Sequence, residues 1–144
     1  MSSTPQPPSP QRAALLVIDV QQAMFAQSTP VYQSETLLTN ILSLTAKARK
    51  AGAPVVWVQH CDARDLVPDT PGWQLRPALV PGAQDLKLRK QKGSAFEGTN
   101  LKELLAERGV SSVVVCGMVT HGCVKNTCLG ALAEGLRVTL AQDA

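Results

Sequence analysis

Three apolar runs constrain this chain more than anything else in it: AALLVID, PVVWVQH and SVVVCG, each closing on an acid, a histidine or a glycine. An unbroken apolar run of this length fits a strand covered on both faces, which is the situation of a parallel sheet rather than of an antiparallel one. The residues between the runs have helical spacing. Leu37, Leu38, Ile41, Leu42, Leu44 and Ala48 fall on one helix stripe over Glu35 to Lys50, with Gly52 placed to end it. Leu101, Leu104 and Leu105 do the same over Thr99 to Arg108, which carries capping residues at its start and stops at Gly109. A further helix is expected over His121 to Glu134, closed by Gly135. With strands at Ala14 to Asp19, residues 54 to 60, Asp85 to Lys90, Ser112 to Gly117 and Arg137 to Ala141, the alternation predicts an α/β fold. It is a three-layer α/β/α sandwich, a Rossmann-like open parallel sheet in the order 3-2-1-4-5 with right-handed crossovers.

A chain of 144 residues holds one such domain and not two. Residues 1 to 12 contain four prolines among Ser, Thr and Gln and are expected to form a flexible arm, so the domain spans 13 to 144. No stretch approaches the ~18 apolar residues of a membrane span, and the N-terminus has no apolar signal core. The net charge of +3 calls for neither nucleic acid nor an anionic membrane. Lys87, Arg89, Lys90 and Lys92 form a basic cluster, but no aromatic interleaves it for base stacking. Four cysteines, two of them in apolar or helix-like segments, do not make a disulfide framework, so a cytoplasmic setting is expected.

Ligands of open parallel sheets bind beyond the carboxyl ends of the strands, which directs attention to Asp19, Gln59, His60, Lys90 and residues 117 to 123. Neither GxGxxG nor GxxxxGK[ST] is present, so nucleotide chemistry is disfavoured. Cys123 follows Thr120, a possible helix cap, by three residues. A thiol in a first helical turn would feel the positive helix end, which lowers its pKa, and the neighbouring N–H groups could hold an oxyanion. Against this stands the plain alternative of a buried small hydrophobe. Asp19 and Lys90, ending strands on the same edge, tip the balance: a carboxylate can take the thiol proton and an ammonium can steady the thiolate. His60, Cys61 and Asp62, or His121 with Cys123, could be read as metal ligands, but none has the spacing of a structural site, and no metal or organic cofactor is expected. Phe25, Trp73 and Phe96 are candidate pocket walls alongside Gln59, His60 and His121.

LLVIDVQ with Phe25 shortly after, then KQKGSAFEGTNL, then CGMVTHGCVKNTCLGALAEGLRVTLAQDA, resembles the isochorismatase-like cysteine hydrolases in the right order, and WVQHCDARDLVPDTPGWQLRP resembles their middle region. The resemblance runs from Ala13 to Ala144. It implies a catalytic triad of Asp19, Lys90 and Cys123. Lys90 has the family's spacing to Phe96, and Lys92 does not. It also implies a cis peptide between Met118 and Val119, with the Val119 and Cys123 N–H groups as oxyanion hole. A cysteine at position 123, where isochorismate-cleaving members lack one, implies amide-type hydrolysis through a thioester. HCDARD lacks the Asp-x-His metal cluster of nicotinamidase-like members, which weighs against nicotinamide as substrate. The implied substrate is a small amide, ureido or related carbonyl compound. Family members continue past QDA with another strand and helix, so the last strand here is expected to need cover, for which a homo-oligomer (dimer or tetramer) is the expectation. The alternative is a catalytically silent binding or scaffolding relative, against which the intact Asp, Lys and Cys argue.

Overall fold

The computed structural model describes residues 12–25, 34–118 and 120–141 of the chain, without the side chains of residues 120 and 121. Five strands, β1 (Arg12–Ile18), β2 (Val55–His60), β3 (Leu86–Lys90), β4 (Val110–Gly117) and β5 (Arg137–Leu140), form one sheet in the order β3-β2-β1-β4-β5. Every pairing is parallel. The helices are α1 (Gln22–Phe25), α2 (Ser34–Lys50), α3 (Leu101–Glu107) and α4 (Lys125–Ala133). The expected N-terminal arm lies outside the described residues save for Arg12, which opens β1.

Alternation along the strands divides the core in two. Ala14, Leu16 and Ile18 of β1, Val56 and Val58 of β2 and Val113 and Val115 of β4 pack with Leu101 and Leu105 of α3 and Ala131 of α4. Leu15, Val17, Val55, Trp57 and Cys116 face the other way and pack with Ile41 of α2. These strands are covered on both sides, which is why their sequences show unbroken apolar runs instead of alternation. The chain builds β1, β2 and β3 outward in one direction and then returns to lay β4 on the other side of β1. The strand order therefore reverses between β1 and β4, and the crevice of such a sheet opens beyond their carboxyl ends.

Gly117 lets the ends of β1 and β4 lie close together at that crevice. Its φ is +115°, and a Cβ there would lie 2.1 Å from the backbone oxygen of Ile18. The same close approach lets the Met118 N–H donate to the Ile18 carbonyl at 2.8 Å. Gly117→Ala is expected to cost at least ~2 kcal/mol in urea unfolding, because it adds a backbone clash to a left-handed residue. A midpoint unchanged from the parent would show that the two strand ends can part.

Candidate active site

Each reactive side chain is brought to the carboxyl edge by a different local device. Asp19 follows β1 directly, with its N–H extending the ladder to Val58 O at 2.9 Å and its own φ at +54°. The left-handed region is uncommon for a residue with a Cβ, and aspartate tolerates it better than most. Lys90 is the last residue of β3, paired in register with His60 of β2. Both lie on the sheet face that α3 and α4 cover, since Lys90 stands two residues from Leu88 and His60 two from Val58. The segment after Lys90 is seated on α4: the Ala95 N–H donates to the buried Thr127 Oγ1 at 3.0 Å, and a Cβ at Gly130 would meet Ser94 Oγ at 2.5 Å. Phe96 packs there with Cys123 against the same core.

Cys123 is not in the first turn of a regular helix, as its spacing from Thr120 suggests. Thr120–Val124 form a wide, π-type turn broken at Gly122 (φ −123°, ψ −111°), and α4 begins only at Lys125, with Val124 at its N-cap position. Gly122 supplies the break that the apolar periodicity conceals. Val119, and with it the expected Met118–Val119 bond and oxyanion N–H, lies outside the described residues, as does the His121 side chain.

The Lys90 ammonium is the hub. Nζ stands 3.1 Å from Asp19 Oδ2, 3.2 Å from Cys123 Sγ, 2.8 Å from His60 Nδ1 and 3.0 Å from Lys92 O. Lys90 is 1% exposed and Asp19 3%. Asp19 Oδ1 is buried with no hydrogen-bond partner of good geometry among the described residues. Burial pushes the Asp19 carboxyl above the ordinary range, although Lys90 opposes the shift. Burial and then the Asp19 charge also push the Cys123 thiol up, with Lys90 again opposing. The expectation of a thiol acidified by a helix end is thus corrected: burial and the adjacent Asp19 both raise the thiol, and burial makes Asp19 a stronger base than a surface carboxylate. His60 is held below the usual histidine value by burial and by Lys90.

An Asp19 carboxylate oxygen, a His60 ring nitrogen and Cys123 Sγ lie within 4.8 Å of one another, a set that could in principle hold a metal ion. Lys90 Nζ already lies within 3.2 Å of one atom from each. A divalent ion there would stand against a buried ammonium, so these residues do not suit a metal while Lys90 keeps its place.

The other sequence candidates are placed differently. Gln59 points to the opposite sheet face from His60, and its Nε2 donates to Trp73 O at 3.1 Å. Trp73 donates from Nε1 to Cys61 Sγ at 3.3 Å and packs with Leu66. Together with Arg76, Lys87 and Arg89 these two line a cavity of about 630 Å³ that includes none of Asp19, Lys90 and Cys123. Phe25 packs in the α2-side core, under the Arg76 guanidinium at 4.6 Å. The structure therefore gathers Asp19, Lys90, Cys123 and His60, with Phe96 beside them, and not Gln59, Trp73 or Phe25. One residue was missed by sequence reasoning. Gln21 is fully buried, takes the His60 N–H on Oε1 at 2.9 Å and donates from Nε2 to His60 O at 3.1 Å and Trp73 O at 2.9 Å. Gln21 is the last residue of LLVIDVQ, two past the strand-ending acid, and that motif alone assigns it no role.

Comparison with known proteins agrees with this architecture. The isochorismatase domain model matches residues 13–144. The chain is 40% identical over 133 residues to a streptothricin hydrolase of Streptomyces noursei, covering 91% of this chain and 48% of that protein. It spans about half the length of two streptothricin hydrolases of that organism, 48% and 53%. Among solved structures, an isochorismatase from Pseudomonas putida KT2440 superposes with a TM-score of 0.86 at 32% identity, covering 92% of this chain and 70% of that one. N-carbamoylsarcosine amidase from Thermoplasma acidophilum gives 0.87 at 25% identity, covering 93% and 83%.

Proposed function

This chain belongs to the isochorismatase family, and from that premise we propose that it is a cysteine-dependent hydrolase of a small amide, ureido or related carbonyl compound, with Asp19, Lys90 and Cys123 as its catalytic residues. One observation carries the reading: a single buried ammonium lies within 3.2 Å of both a carboxylate and a thiol sulfur. Such a cation stabilises whichever partner bears the negative charge, so moving a proton from sulfur to carboxylate leaves the net charge of the buried trio unchanged.

In the proposed reaction Asp19 takes the thiol proton and the Cys123 sulfur attacks the carbonyl carbon. The carbonyl π electrons move to oxygen, where the Cys123 N–H and, as the family resemblance implies, the Val119 N–H hold the charge. The tetrahedral adduct then expels the nitrogen, which receives its proton from Asp19, and a thioester remains on Cys123. Asp19, again a carboxylate, deprotonates a water that attacks the thioester. Collapse of that adduct releases the carboxylic or carbamic acid and returns the proton to sulfur. The balance is one amide and one water in, one acid and one amine out, and no step calls on a redox or organic cofactor.

Support for amide chemistry comes from Cys123 and from the likeness to a protein described as N-carbamoylsarcosine amidase. Asp19→Asn, which keeps the shape and removes the base, is expected to lower turnover at least ~100-fold on any substrate found in a panel of small amides and ureides. Turnover within a few-fold of the parent would remove Asp19 from the mechanism, and a panel with no hydrolysis at all would favour the silent binding relative. The same reading keeps a small molecule as the partner and a homo-oligomer as the assembly. Leu140 on β5 and Leu129 and Leu132 on α4 are exposed, apolar surface that a second copy could cover.

A further inference from the structure

His60 is the nearest neighbour of the hub and has no part in the proposed chemistry. An ammonium has three N–H groups and no lone pair. Lys90 Nζ nevertheless has four acceptors within 3.2 Å: His60 Nδ1 at 2.8 Å, Lys92 O at 3.0 Å, Asp19 Oδ2 at 3.1 Å and Cys123 Sγ at 3.2 Å. Beside an ammonium this close, a bare nitrogen is the partner that fits, which selects the neutral His60 tautomer with its proton on Nε2. Its backbone is held on both sides by Gln21, which fixes the ring's origin.

We infer that His60 is a positioning residue for Lys90: with the Lys92 carbonyl it occupies two of the three N–H groups and leaves the third to be shared between Asp19 and the Cys123 sulfur. The inference rests on the reading that Lys90 steadies the Cys123 thiolate. When the thiol proton passes to Asp19, only that third N–H has to turn, from the carboxylate toward the sulfur, while the other two hold the ammonium still. Protonating His60 would instead place N–H against N–H and a second cation at 2.8 Å. The charged and titratable groups facing the ring are Lys90 of β3, Asp19 beyond β1, Cys123 in the turn before α4 and Asp62 on the loop that follows β2. Burial and Lys90 disfavour the imidazolium and the two carboxylates favour it, with the former prevailing.

Two measurements test this without a substrate. The chain has only two histidines, so ¹⁵N spectra of histidine-labelled protein resolve each ring. The expected spectrum has His60 as the Nε2–H tautomer, titrating below the ordinary ~6.5. The Nδ1–H tautomer, or a titration at or above the ordinary value, would overturn the inference. The second measurement is the rate of Cys123 alkylation by iodoacetamide against pH, in His60→Leu, which has no acceptor, and His60→Asn, whose Oδ1 offers an acceptor near the Nδ1 position and does not titrate. His60→Leu is expected to move the alkylation curve up by about one pH unit, an about tenfold slower reaction near neutrality. His60→Asn is expected to stay within about threefold of the parent and to lose any inflection due to the imidazole. A parental curve in His60→Leu, or an equal loss in both variants, would overturn the inference. Alkylation needs no turnover, so these outcomes stand apart from whether the protein hydrolyses anything. Should His60→Leu fail to fold, the asparagine variant and the spectra of the parent still decide.

Discussion

Replacing Cys123 with alanine is expected to lower turnover by on the order of 10⁴-fold or more, the scale seen when a covalent nucleophile is removed from a site whose members act together. The loss should appear in kcat with the fold intact. Cys123 is half-buried at the edge of the core, and an alanine there keeps the Cβ and removes only the sulfur. It also takes one of four acceptors from Lys90 and leaves His60, Asp19 and the Lys92 carbonyl in place. Thermal unfolding should therefore stay close to the parent. Turnover retained by Cys123→Ala would exclude the thioester route.

Lys90→Met is expected to combine a comparable loss of turnover with a loss of stability that grows with pH. Removing the ammonium strands a buried carboxylate, and breaking a buried pair from one side costs about 3–5 kcal/mol. The sign follows from the direction of the Asp19 shift. Burial raises its folded-state pKa above the unfolded value, so folding disfavours the ionised form. Below the unfolded value both states are protonated and nothing is lost; the penalty accumulates as pH climbs through the raised pKa. Lys90 offsets part of it in the parent, and the methionine variant has no such offset. Urea unfolding should show the two proteins closest near about pH 4 and furthest apart, by about 3 kcal/mol, near about pH 8. A difference independent of pH would mean that the Asp19 charge is not what Lys90 compensates.

The fold was legible because its strands are buried on both faces. AALLVID and SVVVCG can hardly be anything but central parallel strands, and together with PVVWVQH they are the three neighbours β1, β4 and β2. Their ends located Asp19 and His60 at the carboxyl edge, while choosing Lys90 over Lys92 depended on resemblance to a family, since alternating charge on LKLRK marks neither one. Other features had no sequence signal strong enough to read. The break at Gly122 interrupts a segment whose apolar residues run on as if it were one helix. The contact between His60 and Lys90 follows from the register of β2 against β3, which sets those two Cα atoms opposite each other and which no local pattern reveals. The state of the thiol depends on a sum of terms. A helix end alone suggests acidification, whereas burial and the adjacent Asp19 raise it. Gln59 was placed by its position on the edge, but period-two alternation turns its side chain to the other face.

The proposed reaction passes through a covalent bond at Cys123. Intact-mass spectrometry of the protein, quenched in acid while it turns over an amide or ureide found by screening, reads that bond directly. The expected spectrum gains the mass of the acyl group, maps it to the peptide containing Cys123, loses it in hydroxylamine as a thioester should, and shows none of it in Cys123→Ala. Steady turnover with no adduct at any quench time, and the same turnover in the alanine variant, would contradict the account.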